Sequence, residues 1–104
     1  NRLLETHFKR IVARKVGTAS LICKGLVATG DMKATPAEIQ ALATNMTVVA
    51  TYWLSFEFVS DPRKKIGGES LARGAFQVMA LAAPYLVGRS RKLFEEVSKN
   101  YLTA

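Results

Sequence analysis

Residues 41–56, ALATNMTVVATYWLSF, contain no charged side chain, no proline and no glycine. In and around this stretch, apolar side chains recur every three or four positions, as on one face of an α-helix: Ile39, Leu42, Met46, Val49, Trp53 and Phe56. A second series with the same spacing is displaced around the same helix: Ala43, Thr47, Ala50, Leu54 and Phe58. A helix that is apolar nearly all round has to be enclosed. The stretch therefore predicts a helix buried among other helices.

Strong signals begin and end this helix. Thr35 can cap its first turn, Pro36 suits the first helical position, and Glu38 can reach back to the amide of the cap. Pro62 disfavours a helical conformation at the residue before it. We therefore predict a helix over residues 36–60.

Apolar residues at helical spacing predict three further helices, at about 3–29, 69–86 and 90–102. Gly30 follows the first of them and supplies the left-handed position that commonly ends a helix. No alternating pattern typical of β-strands occurs. We predict one all-α domain over residues 1–104, an antiparallel helical bundle of about four helices.

The two middle helices have too few partners within one chain to cover their apolar surfaces. No charged residue lies between Gly74 and Gly88, and small residues there allow a second helix to approach closely. Pairing with a second copy about a two-fold axis would cover both helices in an intersubunit four-helix bundle. The alternative is a missing upstream segment, since the chain begins at Asn1 and its apolar pattern is established by Leu3. We favour the homodimer.

The uncharged stretch extends from Ile39 to Phe56, which is long enough to be considered as a membrane span. It carries six polar side chains, however: Gln40, Thr44, Asn45, Thr47, Thr51 and Ser55. Each would need a hydrogen-bonding partner that hydrocarbon cannot supply. We therefore predict a buried helix in a protein with no membrane partner.

The chain carries 15 Lys and Arg against 8 Asp and Glu, a net charge of +7. One reading of this charge is a basic helical module that binds nucleic acid directly through Arg10, Arg14 and Lys15, with a strongly salt-dependent affinity. No recognition motif or aromatic stacking platform accompanies these residues. Direct nucleic-acid binding is therefore kept as the alternative function.

Catalytic and metal-binding chemistry has little support in the sequence. His7 is the only histidine, which leaves one imidazole for any multi-histidine metal site or Ser-His-Asp triad. Glu57 and Asp61 lie near a helix end, where acids are common. Cys23 is the only cysteine, so an internal disulfide is impossible. It lies on the apolar stripe of the first helix, which favours a core position. We predict no enzyme activity, no metal and no cofactor, in a reducing compartment such as the cytoplasm.

Residues 41–56 resemble the long penultimate helix of one branch of the TetR-type bacterial transcription repressors. Residues 71–78, LARGAFQV, and 83–86, APYL, resemble the helix that follows it, and residues 25–30, GLVATG, fit the preceding element. The resemblance implies the C-terminal regulatory domain of a repressor, whose N-terminal helix-turn-helix is not in this chain. It also implies a dimer interface made by residues 36–60 and 69–86.

The resemblance further implies a small-molecule effector bound between the first helix and the second. Operator DNA would then be contacted only through the missing N-terminal domain, whose two copies the effector moves relative to each other. We expect an apolar effector bordered by four aromatic residues and one isoleucine: Phe8, Ile11, Tyr52, Trp53 and Phe56. We expect the interface to use apolar residues of the two middle helices: Met46, Val49, Ala50, Ala75, Val78, Ala82 and Tyr85.

Overall fold

The structure is a computed structural model that describes residues 1–63 and 67–102. It contains four α-helices and one short 3₁₀ turn: α1 (Arg2–Ala28), α2 (Pro36–Ser60), α3 (Gly68–Ala82), the 3₁₀ turn (Ala83–Tyr85) and α4 (Gly88–Leu102). Within the described ranges there is no β-strand, only an isolated bridge between Met32 and Leu86. The predicted all-α fold is confirmed.

The first turn of α2 has the predicted cap. The backbone amide of Glu38 donates to Thr35 Oγ1 at 3.1 Å, and the amide of Thr35 donates to Glu38 Oε1 at 2.8 Å. These two bonds satisfy amides that have no partner within the helix. At its other end α2 stops at Ser60, as predicted.

The third helix is shorter than the sequence pattern predicted, ending at Ala82 rather than near residue 86. Pro84 has no amide hydrogen and cannot continue the helical bonding. The chain tightens into the 3₁₀ turn instead, where the amide of Leu86 donates to the Ala83 carbonyl at 3.1 Å. The last helix begins at Gly88, two residues before the predicted start at Ser90.

Two loops pair at one end of the bundle. Gly30 adopts a positive φ of 80°, as expected for the residue that ends α1. The amide of Lys33 then donates to the Tyr85 carbonyl at 2.8 Å, and the amide of Val87 donates to the Asp31 carbonyl at 3.1 Å. The Ser90 hydroxyl also donates to the Asp31 carbonyl. These bonds hold the α1–α2 loop against the end of α3.

The main core lies beneath this paired end. It consists of buried residues from α1, the loop, α2 and α3: Cys23, Met32, Ile39, Leu42 and Ala82. Since the end of α1 and the start of α2 share this core, the two helices run antiparallel. A separate aromatic contact holds α4, because Phe76 stacks on Phe94 at 5.9 Å and on Tyr101 at 4.7 Å between ring centroids.

The first half of α1 extends beyond the core. Every residue from 1 to 15 is exposed, including the apolar side chains of Leu4 and Phe8. Only the second half of α1 packs on the remainder of the described chain. Among the described helices, none combines the length and apolarity needed to cross a membrane.

Candidate functional site

The two sides of α2 differ in what covers them. Ala43 and Thr47 are buried on the side that faces α1, and Ala50 follows one turn later. Successive helical residues are rotated by roughly 100°, so Tyr52 lies about 200° beyond Ala50 on the opposite side. Apolar residues there are between 51% and 78% exposed: Val48, Tyr52, Phe56 and Val59. We call these four residues the outer face of α2.

On the α1 side, a groove of about 350 Å³ runs between α1 and α2 and is closed at one edge by α3. Its lining comes from α1, α2 and α3 in turn: Arg14, Lys15, Thr18, Ala19, Ile22, Met46, Thr47, Ala50 and Val78. The two threonine hydroxyls donate to backbone carbonyls of their own helices, at 3.0 Å for Thr18 and 2.9 Å for Thr47. The groove is therefore mainly apolar, with two basic side chains. We call it the α1–α2 groove.

On the opposite side, a depression of about 300 Å³ lies between α2 and α3. Its lining includes most of the outer face together with residues at its edge: Val48, Val49, Tyr52, Trp53, Phe56 and Gln77. The rings of Trp53 and Phe56 lie 5.4 Å apart between centroids. This depression belongs to the outer face rather than to the α1–α2 groove.

The Trp53 ring packs against α3. Its indole Nε1 donates to the Ser70 carbonyl at 2.8 Å. Gly74 lies directly under the ring, since an added β-carbon would come within 2.6 Å of Trp53 Cδ1. The indole therefore fixes the distance between α2 and α3.

An ion pair between a buried carboxylate and a half-buried arginine lies one turn further along α2. Glu57 is 5% exposed, and its Oε1 accepts from Arg73 Nε at 2.7 Å. Arg73 Nη2 also donates to Ser70 Oγ at 3.2 Å. Sequence reasoning treated Glu57 as an ordinary acid near a helix end and missed this contact. The sequence does contain one indication of this contact, because Glu57 is the only charged residue between Glu38 and Asp61.

Cys23 is buried in the main core, as predicted. Burial raises the pKa of its thiol above the ordinary value, because the surroundings disfavour the thiolate. The reactive form is therefore scarce. In the part of the chain that the structure describes, no three His, Cys, Asp or Glu side chains lie close enough to hold a metal ion.

The match to known families decides what kind of protein carries these surfaces. The family model TetR, described as a bacterial transcriptional repressor, matches residues 1–94. This chain belongs to the TetR family of bacterial transcriptional repressors. Neither the curated proteins nor the solved structures gave a significant match. The family match covers α1, α2, α3 and part of α4, and it supports a role in transcriptional regulation.

The residues predicted to border an effector in this TetR-family chain fall on two surfaces. Tyr52, Trp53 and Phe56 lie together in the depression on the outer side of α2. Phe8 and Ile11 lie on the exposed half of α1 and line neither the depression nor the α1–α2 groove. The structure therefore does not bring the five residues into one cavity.

The residues predicted to form the TetR dimer interface are divided as well. Met46, Ala50 and Val78 line the α1–α2 groove, Val49 lines the outer depression, and Ala75 is exposed on α3.

The last two predicted interface residues belong to the chain's own interior. Ala82 is 7% exposed and lies in the main core, and Tyr85 packs against that core. A side chain so placed has little surface left for a second copy. A charge introduced at Ala82 would therefore disturb folding before it could test an interface.

Proposed function

We propose that this chain is the dimerisation and effector-sensing domain of a TetR-type repressor, with its two roles on opposite sides of α2. The outer face of α2 meets its copy in a second subunit, and the α1–α2 groove holds the effector. The observation that supports this division is the pair of apolar surfaces separated by about half a turn of one helix. Operator DNA would be bound by the helix-turn-helix of the parent repressor.

The outer face has the properties of a protein contact. Val48, Tyr52, Phe56 and Val59 form a continuous exposed row along α2. Contiguous apolar patches on a soluble surface commonly mark interaction sites, and aromatic residues are enriched in them. A two-fold axis at this row would bring α2 and α3 of each subunit into one four-helix interface.

The α1–α2 groove suits a smaller occupant. The groove is concave and mainly apolar with a few polar groups, which is the usual form of a small-molecule site. Its floor includes Met46 and Ala50, which lie on the same helix as the outer face. A ligand that shifts these residues would move α2, and with it the surface that pairs the two subunits. The arrangement supports effector sensing through the position of α2.

Replacing Tyr52 and Phe56 together by Glu tests the dimer role, with Leu93→Glu as the control. Leu93 is 65% exposed on α4, so the control adds a charge to an equally exposed apolar site away from α2. We expect sedimentation equilibrium to give monomers for the double variant and dimers for the control, because carboxylates buried in the interface would be unpaired. Unchanged dimerisation of the double variant would place the interface elsewhere.

A further inference from the structure

The α1–α2 groove has two basic side chains and no acid in its lining. Along α1, the nearest acid is Glu5, nine residues before Arg14, which is about 13 Å of helix. In the described part of the chain, neither Arg14 nor Lys15 forms an ion pair or donates a hydrogen bond. Both residues border the groove, and neither charge is neutralised by a partner in the described part of the chain.

Beyond these cations the groove offers only apolar contact. Ala19 and Ile22 continue the α1 wall, and Met46 lies across from them on α2. The hydroxyls of Thr18 and Thr47 already donate to carbonyls of their own helices. From Arg14 to Ile22 the α1 wall is about 12 Å long, which is room for a hydrocarbon chain or a small ring system. A polar body, such as a sugar, would find few partners there.

We propose that the α1–α2 groove binds amphipathic anions, with the acidic head group at Arg14 and Lys15 and the apolar body along Ala19 and Ile22. This inference rests on the proposed role of the groove as the effector site and names the chemical class of the effector. A carboxylate or phosphate head accepts charge-assisted hydrogen bonds from the guanidinium and ammonium groups. The apolar body is removed from water by the walls of the groove.

Decanoate and decanol are the matched probes, because they share a hydrocarbon chain and differ in head-group charge. Isothermal titration calorimetry on the chain should show decanoate binding at one site per chain, about tenfold or more tighter than decanol. Ala50→Trp, which fills the groove, should abolish binding of both. Equal affinities for decanoate and decanol, or unchanged decanoate binding to Ala50→Trp, would overturn the proposal.

Two charge-matched double variants locate the head group. Arg14→Gln with Lys15→Gln should weaken decanoate binding about tenfold and leave decanol binding nearly unchanged. Lys9→Gln with Arg10→Gln removes the same charge from exposed positions of α1 outside the groove, and should change decanoate binding less than about twofold. Equal losses in the two variants would mean that long-range attraction alone holds the anion, and would overturn the proposed site.

Other outcomes separate this inference from the proposed function. If decanol and decanoate bind equally and Ala50→Trp blocks both, the groove remains an effector site and only the ligand class is wrong. If neither binds, the proposed ligand class is wrong, while the proposed dimer is judged separately by its own test. Binding to phosphatidylglycerol vesicles without binding of free decanoate would assign the cations to a membrane surface and overturn the inference.

Discussion

Gly74 leaves so little space beneath the Trp53 ring that a single added atom would disturb the packing of α2 on α3. A β-carbon at residue 74 would come within 2.6 Å of Trp53 Cδ1 and 3.0 Å of Trp53 Nε1. That nitrogen donates to the Ser70 carbonyl at 2.8 Å, so a displaced indole would also leave its hydrogen bond. The glycine is thus needed for space under the ring, not for an unusual backbone angle.

Gly74→Ala is therefore expected to destabilise the fold by about 1–3 kcal/mol, as overpacking commonly does. Gly17→Ala is the control, because nothing lies within 4 Å of a β-carbon at that position in α1. In the control, the alanine should add roughly 0.5–1 kcal/mol of stability, since it restricts the unfolded chain. Urea denaturation followed by tryptophan fluorescence measures both. Equal stabilisation by the two substitutions would show that the indole is not held as described.

Single residues also show where sequence reasoning stops. Cys23 was predicted in the core and is buried there, because its position on the apolar stripe of α1 fixes which way it points. Glu57 was missed, because its partner Arg73 lies 16 residues away on another helix. A pattern within one helix predicts which residues are buried. It does not predict which side chain, distant in the sequence, pairs with a buried carboxylate and so offsets the cost of burying it.

At the scale of the helices, local signals predicted the bundle well. The capping box at Thr35 and the break after Ser60 gave α2 its observed bounds. The third helix was overestimated because the apolar spacing continues through the 3₁₀ turn, where Pro84 prevents helical bonding. The pairing of the Asp31–Lys33 and Tyr85–Val87 loops could not be predicted, since it joins segments more than 50 residues apart.

Thr35→Ala should destabilise the fold by about 1 kcal/mol, because the amide of Glu38 loses its partner at the start of α2. Thr51→Ala is the matched control, an exposed threonine inside the same helix. There the replacement should be neutral or slightly stabilising, given the higher helix propensity of alanine. Thermal unfolding followed by circular dichroism gives both values. A Thr35 variant as stable as the Thr51 variant would contradict the role assigned to the cap.

At the scale of the whole molecule, the sequence predicted that α2 is apolar nearly all round. It did not predict which side of α2 packs on α1 and which side is left exposed. Met46 was assigned to the interface and Tyr52 to the effector site from helical spacing together with the family resemblance. The structure places Met46 in the α1–α2 groove and Tyr52 on the outer face. The difference arises because the position of α1 around α2 depends on the shared core at Cys23 and Leu42, a tertiary contact that helical spacing does not encode.

The mass of the chain in solution tests the central claim, that α2 pairs with a second copy. Size exclusion with multi-angle light scattering, at concentrations from low to high micromolar, should give twice the 11.4 kDa of one chain. The reason is that a monomer would leave the outer face of α2 in water, at a cost that pairing removes. A mass of one chain that persists at the highest concentration would contradict the account.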